Sequence, residues 1–322
     1  MRDYTVFYKR YVNVSAGDRL SGSWDLFIST YSLNERVLKV FKDVRATEKI
    51  WLIHPVYGVE SGEMPTLTPN ERLFSPEDKN IDEAEFIQKS LEFINKDLTE
   101  VKLCVDITGF TQPTLIFLLL YLKRIGITKY DVIYSEPDRY LAQENTKFSE
   151  NVQEVRQIGG CEGKHVTENS DDVLIIGTGY DYALINQVAA SKENAKKIKI
   201  YGFPSLKADM YQENVFQVQK ASEAIGPAIL APLNGYCAPA YDPFVTAAVL
   251  RKIFDDLDQS ITYSNVYLCP LGTKAQALGF ALFYSTECDD DPISIIYPFY
   301  LKYAKNDSVG LSGVWQYTIE YN

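Results

Sequence analysis

Two stretches of the chain follow the same pattern of strand, turn, amphipathic helix and strand. The first, "WDLFISTYSLNERVLKVFKDVRATEKIWLIHP", spans residues 24–55, and the second, "DDVLIIGTGYDYALINQVAASKENAKKIKIYGFP", spans residues 171–204. In both, apolar residues recur at three/four spacing after the turn, and a second strand begins with lysine and ends close to a proline. Strand, crossover helix and strand form a right-handed βαβ unit with parallel strands. Each stretch therefore predicts such a unit.

A second pair of matching stretches follows the same logic. Residues 102–137 and 265–299 each read as a strand, a turn with threonine and glycine, an apolar helix, and a strand that contains Ile-Tyr near its end. Helices are also predicted near residues 82–98 and 243–257, in matching positions. The fold class predicted is α/β, with internally duplicated Rossmann-like units, mostly parallel sheets and helices on both faces. The two halves, residues 1–150 and 151–322, have an ordinary domain size, and one continuous sheet or two separate sheets both fit.

Two polar stretches predict irregular connections. Residues 61–80, with three prolines, indicate a surface loop or lid, and residues 141–168 indicate a loop or a short hairpin. The apolar run of residues 115–122 is too short to span a bilayer, so it predicts a buried helix and no membrane association. The N-terminal residues lack the apolar core of a signal peptide, which favours a cytoplasmic protein.

Composition argues against several classes of function. The 322 residues carry a net charge of -11 and no run rich in lysine and arginine, so nucleic acid is an unlikely partner. The five cysteines are scattered, which is typical of a reducing compartment. Cys161 and His165 have a spacing that suits two zinc ligands, but no second pair accompanies them, so no metal site is predicted.

Small polar loops follow four of the predicted strands. In open α/β sheets a ligand lies beyond the carboxyl ends of parallel strands, where helix N-termini present N–H groups and a positive dipole end. Glycine lets the backbone approach a phosphate, hydroxyls add donors, and a lysine adds a charge. The candidate ligand-binding residues are Thr30; Thr108, Gly109, Thr111 and Gln112; Gly177, Thr178, Gly179 and Tyr180; and Gly272, Thr273 and Lys274.

Each of these signals has a structural alternative. The G-x-G of Gly177 and Gly179 lies between a strand and a helix, but the third glycine of the dinucleotide fingerprint is missing. Glycines also make tight strand-to-helix turns without any ligand. Asp106, His54 and Glu136 fall at strand ends and are candidates for acid or base catalysis. For Asp106 the alternative is a turn carboxylate, and for His54 a hydrogen-bonded cap.

The turns "DITGFTQPT" (residues 106–114) and "PLGTKAQAL" (residues 270–278) carry a resemblance to a known family. They resemble the Rossmann-like sensor domains of CRISPR-associated (CARF-type) proteins, in which a strand ends in a turn similar to D-x-T-G-G-T-K. The first copy has Phe110 and Gln112 where the family has glycine and lysine, and the second copy lacks the aspartate. The matching residues are Asp106, Thr108, Gly109 and Thr111 in the first copy, and Gly272, Thr273 and Lys274 in the second.

The resemblance implies a cytoplasmic prokaryotic defence protein, dimeric or pseudo-dimeric, that recognises a cyclic oligonucleotide. Both halves are used by the repeat, so a lone binding protein or a subunit with a protein partner is expected. Our leading hypothesis is a protein that binds a nucleotide-type phosphorylated ligand across the two halves and acts as a sensor or as a subunit of a larger system. One alternative is an enzyme acting on a nucleotide or nucleoside, and another is a structural interaction subunit. No other cofactor is predicted, and the oligomeric state stays open.

Overall fold

The computed structural model describes residues 3–4, 7–140, 149–167, 171–226, 235–288, 291–303 and 308–321. The chain forms two compact units. The first unit comprises Phe7–Glu150 and Leu301–Asn322, and the second comprises Met1–Val6 and Asn151–Tyr300. Each unit has its own mostly parallel sheet and its own helices, so the predicted α/β fold class with duplicated Rossmann-like units is confirmed. The predicted division has a single boundary after residue 150. In the structure, Met1–Val6 belongs to the unit of the later half of the chain, and Leu301–Asn322 belongs to the unit of the earlier half.

The first unit is built on a seven-stranded sheet of order β1-β15-β6-β5-β2-β3-β4. The strands β2 to β6 are parallel, whereas β15 pairs antiparallel with β6 and β1 pairs antiparallel with β15. A separate antiparallel pair joins β7 and β14. The bounds are β1 Lys9–Val12, β2 Trp24–Thr30, α1 Glu35–Asp43, β3 Ala46–Leu52, β4 Glu71–Phe74, α2 Glu83–Ile94, β5 Leu103–Asp106, α3 Gln112–Arg124, β6 Lys129–Glu136, β7 Arg139–Tyr140, β14 Ser308–Val309 and β15 Gly313–Glu320.

The second unit is built on a six-stranded sheet of order β11-β10-β9-β12-β13-β8, in which the strands β9 to β13 are parallel. Two helices, α5 and α6, lie between β10 and β11 and have no counterpart in the first unit. The bounds are β8 Ser149–Gln157, β9 Val173–Gly177, α4 Tyr182–Ser191, β10 Lys196–Gly202, α5 Met210–Lys220, α6 Ser222–Ile225, β11 Tyr236–Ala238, α7 Pro243–Ser260, β12 Val266–Pro270, α8 Lys274–Glu287 and β13 Ile293–Tyr303.

The two sheets share one topology. The order β15-β6-β5-β2-β3-β4 in the first unit corresponds strand by strand to β8-β13-β12-β9-β10-β11 in the second. The first strand of each repeat, β2 or β9, lies between two strands that the chain reaches by crossing in opposite directions: β3 and β5 in the first unit, and β10 and β12 in the second. With right-handed crossovers, this reversal places α1 on one face of the first sheet and α2 and α3 on the other.

A buried lysine lies at the same register position of the second strand in both repeats, opposite Phe27 in the first unit and Leu174 in the second. In the first unit, Lys49 Nζ donates to the carbonyl oxygens of Phe41 (2.6 Å) and Lys42 (3.3 Å), near the end of α1. In the second unit, Lys197 Nζ donates to the Glu193 carbonyl oxygen just after α4. Burial lowers the pKa of both amines. A cation at a helix C-terminus satisfies carbonyls that have no partner within the helix.

The two predicted connections each contain an edge strand. Residues 61–80 include β4, which pairs parallel with β3, and residues 141–168 include β8, which lies next to β13. The loop prediction for residues 61–80 was wrong at β4, because its side chains are only partly buried and its polar residues weaken the apolar signal. The prediction for residues 141–168 was a loop or a short hairpin, and residues 141–148 and 168 of that range lie outside the described ones. The apolar run of residues 115–122 lies within α3 and is largely buried, as predicted. Of the helices that the structure describes, none has the length and apolarity needed to cross a bilayer.

Helices α7 and α8 pack closely because α8 carries a glycine at the contact. A Cβ atom added to Gly279 would lie 2.5 Å from the Pro243 carbonyl oxygen and 2.6 Å from Thr246 Cβ. Both distances are far below van der Waals contact, and one of them is to a backbone atom that cannot rotate away. The side chain of residue 279 is therefore restricted to hydrogen by packing, although alanine is the better helix former.

We expect Gly279→Ala to destabilise the protein by up to about 2 kcal/mol. Forcing a methyl into a filled contact costs about 1–3 kcal/mol, against a gain of ~1 kcal/mol from replacing glycine inside a helix. Urea denaturation measures the difference. Gly62→Ala is the matched control, because no atom lies within 4 Å of a Cβ built there. A Gly279→Ala variant as stable as wild type would show that the helices separate without cost.

Candidate functional site

The predicted ligand-binding residues follow the two strands of each unit between which the strand order reverses. In the first unit these strands are β2 and β5, and in the second they are β9 and β12. Neighbouring strands at such a switch point leave a crevice at their carboxyl ends, since the two following loops leave in opposite directions. The structure thus brings Thr30 together with the loop after β5, and Gly179 together with the loop after β12.

Close contact between the two loops at each switch point accounts for two of the glycines. A Cβ atom on Gly109 would overlap the Thr30 carbonyl oxygen, and one on Gly179 would overlap the Leu271 carbonyl oxygen. Gly109 is also held by Tyr57, whose hydroxyl donates to its carbonyl oxygen at 2.5 Å. The structure uses these glycines for loop packing, which is the alternative that the sequence left open.

Asp106 lies in a fully buried hydrogen-bond network at the end of β5. Its carboxylate accepts from the Thr108 backbone N–H (3.0 Å), the Thr108 hydroxyl (2.6 Å) and the Ser29 hydroxyl (3.1 Å). Burial raises the pKa of the Asp106 carboxyl, against the opposing effect of these hydrogen bonds and of the Arg36 charge. The Thr108 Oγ1 atom also accepts from the Ser135 N–H (3.0 Å). The network thereby joins the ends of β2, β5 and β6.

The two other acid–base candidates have structural partners as well. His54 caps the 3-10 turn Pro55–Tyr57 through Nδ1, which accepts from the Val56 N–H (3.2 Å). Glu136, at the end of β6, is buried and accepts from Trp315 Nε1 (2.7 Å) and from the Tyr11 hydroxyl (3.4 Å). Burial and the nearby Glu136 carboxylate raise the pKa of Tyr11. Each group thus has a role in holding its own strand end.

The duplicated turns "DITGFT" and "PLGTK" share one feature, a threonine that caps the following helix. Thr111 Oγ1 accepts from the Thr114 N–H at the start of α3. Thr273 Oγ1 accepts from the Gln276 N–H (3.2 Å), and Gln276 Oε1 accepts from the Thr273 N–H (3.3 Å), a capping box at the start of α8. The first residues of these helices, Gln112 and Lys274, are both buried.

In the second unit, α5 contributes a side chain that binds the loop after β9. Thr178 Oγ1 lies within hydrogen-bond distance of the Ile200 carbonyl oxygen (3.0 Å) and of Asn214 Oδ1 (2.9 Å). Asn214 Nδ2 donates to the Gly179 carbonyl oxygen (2.6 Å). Gly177 packs against Phe280, and Tyr180 is half-buried. Protein groups therefore bind the Thr178 hydroxyl and the Gly179 carbonyl oxygen, in the loop that the sequence predicts to bind a ligand.

In the first unit, three buried hydroxyls stand out at the carboxyl edge of the sheet. Within the described part of the chain, Thr30 Oγ1, Ser32 Oγ and Ser135 Oγ have no hydrogen-bond partner, and their residues are at most 4% exposed. Arg36, on the first turn of α1, is 7% exposed and donates from Nη1 to the Ser135 carbonyl oxygen (2.7 Å). Hydroxyls and a guanidinium are the donors that phosphate oxygens accept from in proteins.

The N-terminus of α1 borders these groups. Its N-cap residue is Asn34, whose side chain forms no capping hydrogen bond and instead accepts from the Ser308 hydroxyl (2.9 Å). A helix N-terminus carries a partial positive charge, and so a cation in the first turn is locally unfavourable. Arg36 in this position is a signal that sequence reasoning missed. Ser135 gave no signal, because a serine inside an apolar strand reads as an ordinary core residue.

Cys161 and His165 do not form a zinc site with other residues. Cys161 is buried, and the His165 ring lies 4.9 Å from the Tyr267 ring. Burial lowers the pKa of His165. Among the residues that the structure describes, no group of three or more histidine, cysteine, aspartate and glutamate side chains is placed to hold a metal ion.

The fold and this edge of the sheet define an internally duplicated, Rossmann-like α/β protein with buried hydroxyls and an arginine at one switch point. Comparisons of the chain with protein-family models, with curated proteins and with solved structures find no match. The similarity of its two turns to CARF-type sensor domains therefore stays a resemblance. The function is therefore inferred from the residues of the site.

The Asp106 network predicts the direction in which stability changes with pH. Because the pKa of Asp106 is raised in the folded state, its contribution to stability is present below the ordinary aspartate value of 3.8 and is lost as the pH rises through the raised value. Asparagine does not titrate. We therefore expect the unfolding free energy of wild type, relative to Asp106→Asn, to fall as the pH rises above about 4 in urea denaturation.

Asp97 provides the matched control, because Thr99 donates to it from its N–H (3.0 Å) and its hydroxyl (2.6 Å) in the same local geometry. Asp97 is exposed, and these hydrogen bonds lower its pKa. Wild type should therefore gain stability relative to Asp97→Asn as the pH rises through the acid range. The same direction for both variants would contradict the assignment of burial as the dominant effect at Asp106.

Proposed function

We propose that this protein binds a nucleotide-type phosphorylated ligand at the carboxyl edge of the first unit's sheet, as a sensor or as a subunit of a larger system. One observation carries the proposal. Three buried hydroxyls without described partners lie around the switch point, together with a buried arginine that donates to the Ser135 carbonyl oxygen. They lie next to a helix N-terminus whose N-cap side chain forms no capping hydrogen bond. We name this group of residues, Thr30, Ser32, Arg36 and Ser135, the hydroxyl–arginine cluster.

The energetics of the cluster favour a bound ligand. A buried hydroxyl without a partner costs about 1–3 kcal/mol, which is large against an ordinary total stability of about 5–15 kcal/mol. A ligand with several acceptor oxygens recovers that cost in one binding event. Phosphate suits the cluster because it accepts from hydroxyls, from guanidinium and from helix N–H groups.

The binding hypothesis has more support than the enzyme hypothesis. Asp106, His54 and Glu136 each accept a hydrogen bond from a donor of the protein itself. A general base has to be within hydrogen-bond reach of the substrate proton that it removes. Groups that already hold strand ends and turns are better suited to maintaining a binding site than to exchanging protons.

Charge narrows the ligand to small molecules. A net charge of -11 opposes a polyanion, which needs a broad basic surface, whereas a single nucleotide needs a local group of donors. In our proposal the protein is cytoplasmic and acts with a protein partner. That part rests on the resemblance to CARF-type sensors, as does a role in antiviral defence with a cyclic oligonucleotide as the ligand.

Burial of the cluster has a kinetic consequence. Thr30 and Ser135 are at most 1% exposed, so a ligand reaches them only when a neighbouring loop opens. Binding that requires such a change is slower than the ordinary association range of about 10⁵–10⁷ M⁻¹s⁻¹. Slow association and slow release suit a sensor that stays loaded.

Thermal unfolding with a panel of AMP, ATP, GTP, NAD+, cyclic di-AMP and cyclic triadenylate tests the proposal. A ligand at about 100 times its Kd stabilises the folded state by ~2.7 kcal/mol, which raises the Tm by several degrees. We expect at least one member to raise the Tm of wild type and Ser135→Ala to lose that shift. Mass spectrometry of the native protein identifies any nucleotide that copurifies.

Ser294→Ala is the matched control for Ser135→Ala. Ser294, on β13 of the second unit, is also fully buried, and within the described residues its hydroxyl has no partner. It lies near the start of its strand, away from the carboxyl edge. Both variants should fold as well as wild type, and Ser294→Ala should keep the nucleotide-induced shift. The proposal fails if no nucleotide of the panel changes the Tm of wild type.

A further inference from the structure

We infer that the two copies of the switch point have diverged, so that the first unit binds the nucleotide whereas the second unit binds the polar atoms of its own switch point with protein side chains. This inference rests on the proposed function and adds which copy of the site is used. It predicts about one nucleotide per chain, although the fold is duplicated.

The helix N-termini at the two switch points differ in charge. In the first unit, α1 follows a neutral N-cap, Asn34, and its first turn carries both Glu35, which accepts from the Gly310 N–H (3.1 Å), and Arg36. In the second unit, α4 follows Asp181, whose carboxylate accepts from the Ala183 N–H (3.0 Å), and Ala183 occupies the position that corresponds to Arg36. An anion at α4 would meet a carboxylate and no cation. Asp181 thus already supplies the negative charge that a helix N-terminus favours.

The ends of β2 and β9 differ in their polar side chains. In the first unit, Thr30 is the last residue of β2, and its hydroxyl has no partner among the described residues. In the second unit, Gly177 holds the register position of Thr30 and offers no hydroxyl, and the hydroxyl of the next residue, Thr178, lies 2.9 Å from Asn214 Oδ1. Asn214 also donates to the Gly179 carbonyl oxygen, so one amide contacts the loop with both its acceptor and its donor, as a ligand would.

Asn214 belongs to a segment that the first unit lacks. Helix α5 lies between β10 and β11, whereas the corresponding connection between β3 and β4 contains two 3-10 turns, Pro55–Tyr57 and Ser61–Glu63. Asn214 is 1% exposed. The inserted helix therefore contacts the loop of the second switch point with a neutral amide.

Equilibrium dialysis of the full chain with every nucleotide of the panel, combined with matched threonine-to-valine variants, tests this inference. For a nucleotide that binds wild type, we expect about one mole per mole of chain. Thr30→Val should weaken its affinity at least about tenfold, because one buried hydrogen bond to the ligand is lost. Thr178→Val should keep both affinity and stoichiometry, while its midpoint in urea falls because Asn214 loses a partner.

The outcomes separate the two proposals. Two moles of nucleotide per chain, or loss of binding in a folded Thr178→Val variant, overturns the inference and leaves the proposed function standing. Binding of no nucleotide at all overturns both. Should Thr178→Val fail to fold, Asp181→Asn repeats the test, because it removes the carboxylate from α4 and keeps a capping oxygen. Unchanged affinity and stoichiometry in Asp181→Asn support the inference, and loss of binding overturns it.

Discussion

The hydrogen-bond network of the Asp106 carboxylate holds together the part of the first unit on which the rest of the proposed site depends. Ser29, Thr108 and Asp106 join the ends of β2 and β5, and the Thr108 hydroxyl extends the contact to Ser135 on β6. A buried carboxylate is costly unless donors surround it, and here three donors and the nearby Arg36 charge offset part of that cost. Three strand ends are fixed as a result, and the groups between them have defined positions.

This network changes the meaning of the duplicated turns. The threonines and glycines that suggested phosphate binding are largely used by the protein itself, as helix caps and as points of close contact between loops. Recurrence of a turn in two halves therefore reflects a recurring structural need. A valine at Thr108 would break contacts to Asp106 and Ser135, so it would report on folding before it reported on binding. The stronger evidence for a ligand comes from Thr30, whose hydroxyl the protein leaves without a described partner.

Much of the fold could be predicted from the sequence because its signals are local. Parallel strands and their crossover helices show as apolar runs and helical spacing, and the caps of α3, α7 and α8 show as threonine or aspartate before the first turn. Edge strands such as β4 and β8 gave no comparable signal. The candidate site was harder, because the roles of Arg36, Ser135 and Asn214 depend on tertiary contacts between elements far apart in sequence. Spacing alone says nothing about which hydroxyls end up without a partner.

Duplication supplies an internal comparison that a single Rossmann-like unit lacks. Both units share strand order and the buried lysine that closes the first helix, so those features belong to the common architecture. Differences at the switch points stand out against that background. Where the second unit has Asp181 and Asn214 in hydrogen bonds to its own backbone, the first has a neutral cap, a buried arginine and hydroxyls without described partners. A folded chain gains nothing from leaving the hydroxyls of Thr30, Ser32 and Ser135 without described partners, since each costs free energy that a local substitution to alanine or valine would recover. Their concentration at one switch point, beside a helix N-terminus, is what favours a ligand over packing in our proposal.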